Sequence, residues 1–293
     1  MVMDKIQNNA MLIKATITKF ANSHRDQALA EMVAAAQEAN PKVFNVTKKM
    51  FDAPAIKALS RIAGQLRNSV LNPVSMPWED GVRLITVDQI ESFEAEWQNK
   101  VDRAEELKRE VITEWPNILK RAKKDLGKSF DISLLPSAEY VVGKYQFSYV
   151  LRAMPDSGDI RVNLPADKIA KIKSQAESEI NKRVESAAES VHERVIDTLQ
   201  SLVDGLERHG SKPAGAKRAS NFNDTTVENI EKLAQVLPSL NITGDPKLTQ
   251  ASNAILSQLN GLDPQRLRDS SSERQAVANK AKSIVDNLTG LWD

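Results

Sequence analysis

The chain has 293 residues, enough for one large domain or two ordinary ones with a core. Hydrophobic residues make up 41% and charged residues 27%, a globular composition, while aromatics at 5% leave the core to Leu, Ile, Val and Ala, the mix of helix packed on helix. Lys and Arg number 40 against 39 Asp and Glu, so bulk charge gives no support for duplex binding, and the absence of cysteine excludes disulfides, thiolate zinc sites, iron–sulfur clusters and Cys nucleophiles.

From the N-terminus, Met11–Phe20 alternates apolar and polar residues, with Leu12, Lys14, Thr16 and Thr18 on one face and Ile13, Ala15 and Ile17 on the other, which predicts a strand. Asn22 and Ser23 form a turn and an N-cap for a helix over Asp26–Ala39, which Asn40-Pro41 stops. Val43–Met50 reads as a second strand. Pro54 sits in the first turn of a helix whose stripe is Ile56, Leu59, Ile62, Ala63, Leu66 and Val70. Pro73–Asp80 reads as a loop and Gly81–Val87 as a short strand, giving a strand–helix–strand–helix–strand module.

Asp88 opens a long helix with Ile90, Phe93, Trp97, Val101, Ala104, Leu107 and Val111 at spacings of three and four. Trp115-Pro116 interrupts it, and it resumes to Gly127. Tyr145–Met154 is a strand with Tyr145, Phe147, Tyr149 and Leu151 on one face, followed by a turn at Pro155–Asp159 and a hairpin partner at Ile160–Leu164.

The strongest periodic signal runs from Pro165 to about Arg208, without a helix breaker before Gly205. Ile169, Ile172, Ala176, Ile180, Val184, Ala187, Val191, Val195, Leu199, Leu202 and Leu206 form a narrow seam along a helix of about 60 Å. So narrow a seam is coiled-coil-like and requires a long partner, either the 88–127 helix or a second subunit. Gly210–Asn223 is a flexible basic linker containing Lys212, Lys217 and Arg218, and helices over Thr225–Leu237, Pro246–Leu259, Pro264–Arg268 and Ser272–Leu291 follow it.

The expected fold class is therefore α+β and predominantly helical. A small mixed α/β head (about 11–87 and 144–164) carries a long antiparallel stalk (helices of about 88–127 and 165–208). The linker at 210–223 then leads to a small helical region at 224–293.

No catalytic constellation emerges. His24, His192 and His209 lack a second histidine one turn away, so no zinc helix motif exists. The carboxylate groups Glu105/Glu106, Glu177/Glu179 and Glu91/Glu94/Glu96 lie beside Lys and Arg on polar helix faces, the pattern of helical ion pairs. No phosphate-cradling glycine loop and no nucleophile elbow is present. No cofactor or metal is expected. The candidate partner or assembly seam is Ile169, Ile172, Ile180, Val184, Val191, Val195, Leu199 and Leu202. Lys120, Arg121, Lys123, Lys124 and Lys128, with the Tyr145/Phe147/Tyr149 face nearby, are the candidate nucleic-acid contacts, against the blander reading that this face packs beneath the helices.

The run from Trp78 to Leu164 adds Phe93…Trp97…Val101, Trp115-Pro116-Asn-Ile-Leu, Asp125-Leu-Gly127-Lys-Ser-Phe130-Asp131, Phe147-Ser-Tyr and Met154-Pro155. With these it resembles a family of phage and integrative mobile-element proteins of unknown function. Members are encoded beside MoxR-type AAA+ ATPases that resemble the cobaltochelatase small subunit, and sometimes beside a von Willebrand factor A-type protein. The resemblance covers about the first two-thirds of the chain, and the region after Gly210 lies outside it. It implies an accessory role around an AAA+ ATPase and supplies no catalytic residues. The expected function is thus a non-enzymatic interaction protein acting through its long helices, with a homo-oligomer as a further form of assembly. The alternative is a single-stranded nucleic-acid accessory protein for phage replication, recombination or defence evasion. The polar N-terminus is no signal peptide, and no run reaches the roughly 18 apolar residues of a membrane span, so a cytoplasmic protein of a bacterial host is expected, with no membrane partner.

Overall fold

The structure, a computed structural model, describes residues 2–155, 165–210 and 222–289. The turn expected at 156–159, the strand at 160–164, Lys212, Lys217 and Arg218 of the linker, and residues 290–293 lie outside the described residues. The chain divides into two compact units, one of Met1–Lys14, Leu71–Phe93 and Val150–Asp293, the other of Ala15–Val70 and Glu94–Tyr149.

In the first unit, α1 (Val2–Asn9) leads into β1 (Ala10–Ile17), whose last three residues belong to the second unit. β1 ends three residues before the expected strand does, and its exposure alternates from Ile13 to Ile17, while Leu12 and Ile13 are both buried. The helix was not anticipated: two turns are too short for a periodic signal, and Ile6 is its one buried residue among those whose side chains are described. The segment expected as a loop before the second hairpin strand is instead β4 (Ser75–Glu79), antiparallel to β5 (Val82–Thr86). Pro77 suggested a loop because it cannot donate a ladder hydrogen bond, but β4 is an edge strand of the sheet β4-β5-β1-β6, where that loss is tolerated. β6 spans Phe147–Arg152.

The 88–127 helix appears as α4 (Val87–Thr113) and α5 (Trp115–Leu126), broken at Glu114, with Pro116 in the first turn of α5. α5 ends at Gly127, whose φ of 53° few other residues would adopt.

The long helix is α7 (Ala166–Arg208), 43 residues and so about 64 Å long. Its partners correct the expectation. α7 packs against β4, α8 (Asp224–Leu240) and α11 (Ser271–Thr289), all within the first unit, rather than on the 88–127 helix or another subunit. From Ile180 to Leu206 the seam is interior, sharing a core with Val227, Ile230, Leu233 and Leu237 of α8 and with Ala278, Ala281, Ile284 and Leu288 of α11. Abundant Ser, Asn and Gln dilute the apolar stripes of these C-terminal helices, which hid their capacity to cover a long seam. Small residues at Ala278 and Ala281 suit close helix approach. Gly205 serves the same purpose on α7, because a Cβ there would meet the Phe222 ring at 3.3 Å.

α9 (Pro246–Gln258) and α10 (Pro264–Asp269) complete the unit. α8 continues one turn past its expected end and carries Pro238 inside it, with Leu237 and Leu240 both fully buried. Burial of those two side chains offsets the hydrogen bond that Pro238 removes.

The second unit contains the hairpin β2 (Ser23–Arg25) and β3 (Thr47–Lys49), α2 (Gln27–Ala36), α3 (Pro54–Gln65) and α6 (Ala138–Gly143), with most of α4 and all of α5. Ser23 lies in a strand rather than at a helix cap; Asp26 caps α2, its carboxylate accepting from the Leu29 N–H. Asn22 instead clasps Phe51, donating to its carbonyl at 2.6 Å and accepting from its N–H at 2.9 Å. Phe51 stacks obliquely between Phe20 and Trp115, with ring centroids 6.2 and 5.0 Å away. The stripe from Ile56 to Val70 is buried as its spacing predicts, although α3 itself ends at Gln65 and Leu66 and Val70 lie in the π-helical turns that follow at Leu66–Leu71.

Candidate interaction surface

Burial decides first against the seam. Ile180, Val184, Val191, Val195, Leu199 and Leu202 are all 6% exposed or less, so they hold the first unit together and are not free to meet another molecule while it is folded. Ile169 is partly exposed and Ile172 is 40% exposed, so only the N-terminal end of the expected seam offers apolar surface.

The aromatic strand face is also spent on packing. Tyr145 precedes β6, is fully buried, and shares a 2.8 Å hydrogen bond with the Ser60 hydroxyl. The Tyr149 hydroxyl donates to Glu94 on α4 at 2.8 Å, and its ring meets Trp97 edge-on at 5.4 Å. Burial and the Glu94 carboxylate push the Tyr149 phenol above its ordinary pKa. Lys108 lies 5.8 Å from the Phe147 ring centroid. These rings are packed against helices within the second unit, as the blander reading held, and do not form a stacking platform.

The cations of α5 are differently placed. Ile118 and Ala122 turn inward, which leaves Lys120, Arg121, Lys123 and Lys124 exposed, with Lys128 exposed beyond Gly127. None of the five pairs with a carboxylate among the described residues. Lys123 and Lys124 occupy the last turn, where a positive charge also complements the helix dipole.

Beside this basic end lies a groove the sequence did not announce. It has a volume of about 700 Å³, within the range of ligand and peptide pockets, and is lined by Lys19, Phe20, Ala21, Met50, Ser133, Leu134, Leu135, Pro136, Ser137, Tyr140 and Lys144. Its walls are held by local hydrogen bonds. Asp131 accepts from the Ser133 N–H at 2.9 Å and from its hydroxyl at 2.7 Å, while Ser137 caps α6 by accepting from the Tyr140 N–H. Both Ser133 contacts lower the Asp131 pKa. Next to the lining residues Lys19 and Lys144, the Thr18 N–H donates to the Gln146 carbonyl and its hydroxyl to the Lys144 carbonyl. Lys144 lies 4.7 Å from the Tyr140 ring centroid, a cation–π contact at the rim. Leu134 and Tyr140 remain 56% and 54% exposed, and Ile132 nearby in sequence is 63% exposed. The one hint in the sequence was an apolar cluster, Ile132, Leu134 and Leu135, in a stretch with neither helical nor strand period.

Four of the remaining titratable candidates make contacts within the fold. Glu105 and Glu106 form helical ion pairs with Lys108 and Arg103 at 2.7 and 2.6 Å. His192, on α7, hydrogen-bonds to Asp245, the N-cap of α9, at 2.8 Å. His209 accepts the Phe222 N–H through Nδ1. Among the described residues, no group of three or more acidic or histidine side chains could hold a metal ion, and no helix is long and apolar enough to cross a membrane. Comparison with protein-family profiles, with curated proteins and with solved structures finds no match to this chain.

Proposed function

We propose that this is a non-enzymatic interaction protein that docks onto another protein through its second unit. One observation carries the reading: large apolar side chains stand exposed around a preformed groove, while the long helical seam that was the other docking candidate is used up internally. Monomeric surfaces usually scatter such side chains singly, and an apolar groove rimmed by charge is a recurrent docking surface. A MoxR-type AAA+ ATPase is the first partner proposed, from the family resemblance, and the working place is the bacterial cytoplasm during phage or mobile-element activity. The test is co-purification of the full chain with such an ATPase encoded beside it, together with the ATPase's turnover in its presence. Co-purification that survives washing, or a changed turnover, supports the proposal; a chain that neither binds nor alters the ATPase overturns that partnership.

The unpaired cations of α5 favour a second reading, a single-stranded nucleic-acid accessory protein. That reading requires salt-dependent binding of an oligonucleotide that is lost when Lys123 and Lys124 are both changed to Glu.

A further inference from the structure

Resting on the reading of a docking protein, we infer that the groove between Lys19, Leu134, Tyr140 and Lys144 takes a short acidic segment of a partner protein, anchored by one or two large apolar side chains. The groove's own chemistry specifies this occupant. Most of its lining surface is apolar, from buried Phe20 to half-exposed Leu135 and Pro136, with Ser133 and Ser137 between, so an aliphatic or aromatic side chain gains by entering it. Its charged lining residues are Lys19 and Lys144, and no carboxylate lines it. Neither lysine pairs with a carboxylate among the described residues, so an incoming Asp or Glu would meet an uncompensated positive rim.

The apolar surface continues beyond the groove, which favours an extended segment over a compact ligand. A smaller cavity shares Met50, Leu134 and Leu135 with the groove and reaches Leu126, the last residue of α5. Lys123, Lys124 and Lys128 flank that end, which repeats the pattern of an apolar step beside unpaired cations. Asp131 lines the smaller cavity, but its carboxylate is already engaged by Ser133. The wall segment from Asp131 to Tyr140 is fixed by its own side-chain hydrogen bonds, so little ordering cost falls on binding.

Fluorescence anisotropy on the full chain tests this. The probe is a fluorescein-labelled peptide carrying Asp and Glu around a central Phe and Leu. Two controls accompany it: the same peptide with Lys replacing the acids, and the same peptide with Ser replacing Phe and Leu. The acidic apolar peptide is expected to bind and to weaken with salt. Affinity should fall at least about tenfold in Leu134→Ser and in the Lys19→Glu/Lys144→Glu double variant. These positions are exposed, so circular dichroism of both variants should match the parent chain.

Undiminished binding by both variants overturns the inference, as does equal binding of the Ser-substituted peptide or no binding at all. An oligothymidylate that displaces the peptide and itself depends on Lys19 and Lys144 overturns it in favour of nucleic acid. Both groove variants are also carried through the ATPase co-purification. Capture that persists in them while the peptide fails leaves the docking reading standing and removes only the groove from it.

Discussion

Arg194 offers the sharpest test of how the first unit is held together. It projects from α7 and donates from Nη1 to the Pro73 carbonyl at 2.9 Å and from Nη2 to the Ser75 carbonyl at 2.8 Å. Arg83 on β5 converges on the same place, donating from Nε to the Ser75 hydroxyl at 2.7 Å and from Nη2 to the Ser75 carbonyl at 2.9 Å. No carboxylate forms an ion pair with either guanidinium among the described residues. Burial, and then the neighbouring Arg194 charge, push Arg83 down to about 10, while burial lowers Arg194.

Two effects therefore oppose each other when Arg194 is changed to Met, which keeps most of the apolar stem. Hydrogen bonds from a charged donor contribute roughly 1.5–3 kcal/mol each, and the variant loses two of them. Ser75 keeps its bond from Arg83, but the Pro73 carbonyl loses its partner, at a cost of about 1–3 kcal/mol if it stays dry. Relief of the repulsion with Arg83 and of the buried charge returns part of this. The expected net loss is about 2 kcal/mol, read by urea denaturation followed by far-UV circular dichroism. A variant as stable as the parent chain, or more stable, would refute the reasoning. The guanidinium pair would then be a tolerated burial of charge and not a clamp between α7 and the start of β4.

Leu199→Ala, at a fully buried seam position, is expected to cost about 2–5 kcal/mol, whereas Ile172→Ala at the exposed end should change stability by under about 0.5 kcal/mol. If sedimentation shows Leu199→Ala dissociating an oligomer while the folded unit keeps its stability, the internal role of the seam is wrong. Asp52 is held at about 2 by hydrogen bonds from Lys57 and Lys49, so its contribution is present above its unfolded value near 3.8 and is lost as pH falls through 2. The melting temperatures of parent and Asp52→Asn should therefore differ above pH 4 and converge towards pH 2; a constant difference across that range argues against the ion pairs. Asp245→Ala removes both the cap of α9 and the contact to His192, and should lower stability by about 1–2 kcal/mol at neutral pH, with Asp245→Asn closer to the parent because Asn also caps. Equal losses in the two variants would assign the effect to His192 alone.

Much of the local structure follows from residue order. Period and punctuation place α4, α5 and α7 within a residue or two, because their stripes are long and end near Pro or Gly, where the backbone itself changes what is allowed. By contrast, α3 starts at Pro54 as expected but ends at Gln65, five residues before its stripe does at Val70. The short elements escape for the opposite reason. α1 has two turns, and β4 carries a proline whose tolerance depends on being at a sheet edge, a property of its neighbours and not of its own residues. The α5 cations were legible as a cluster, and their exposure follows from Ile118 and Ala122 facing inward.

What the sequence could determine about the long seam was that it needs cover, since a row of Ile, Val and Leu left in water is unstable in any context. It could not determine which element supplies the cover. Apolar burial is non-directional, and the helices of α8 and α11 satisfy it as well as another long helix would, once tertiary packing brings them alongside. The same holds for the groove. Lys19, Met50, Leu134, Tyr140 and Lys144 are far apart in the chain and share no period, so only the folding of the second unit makes them one surface.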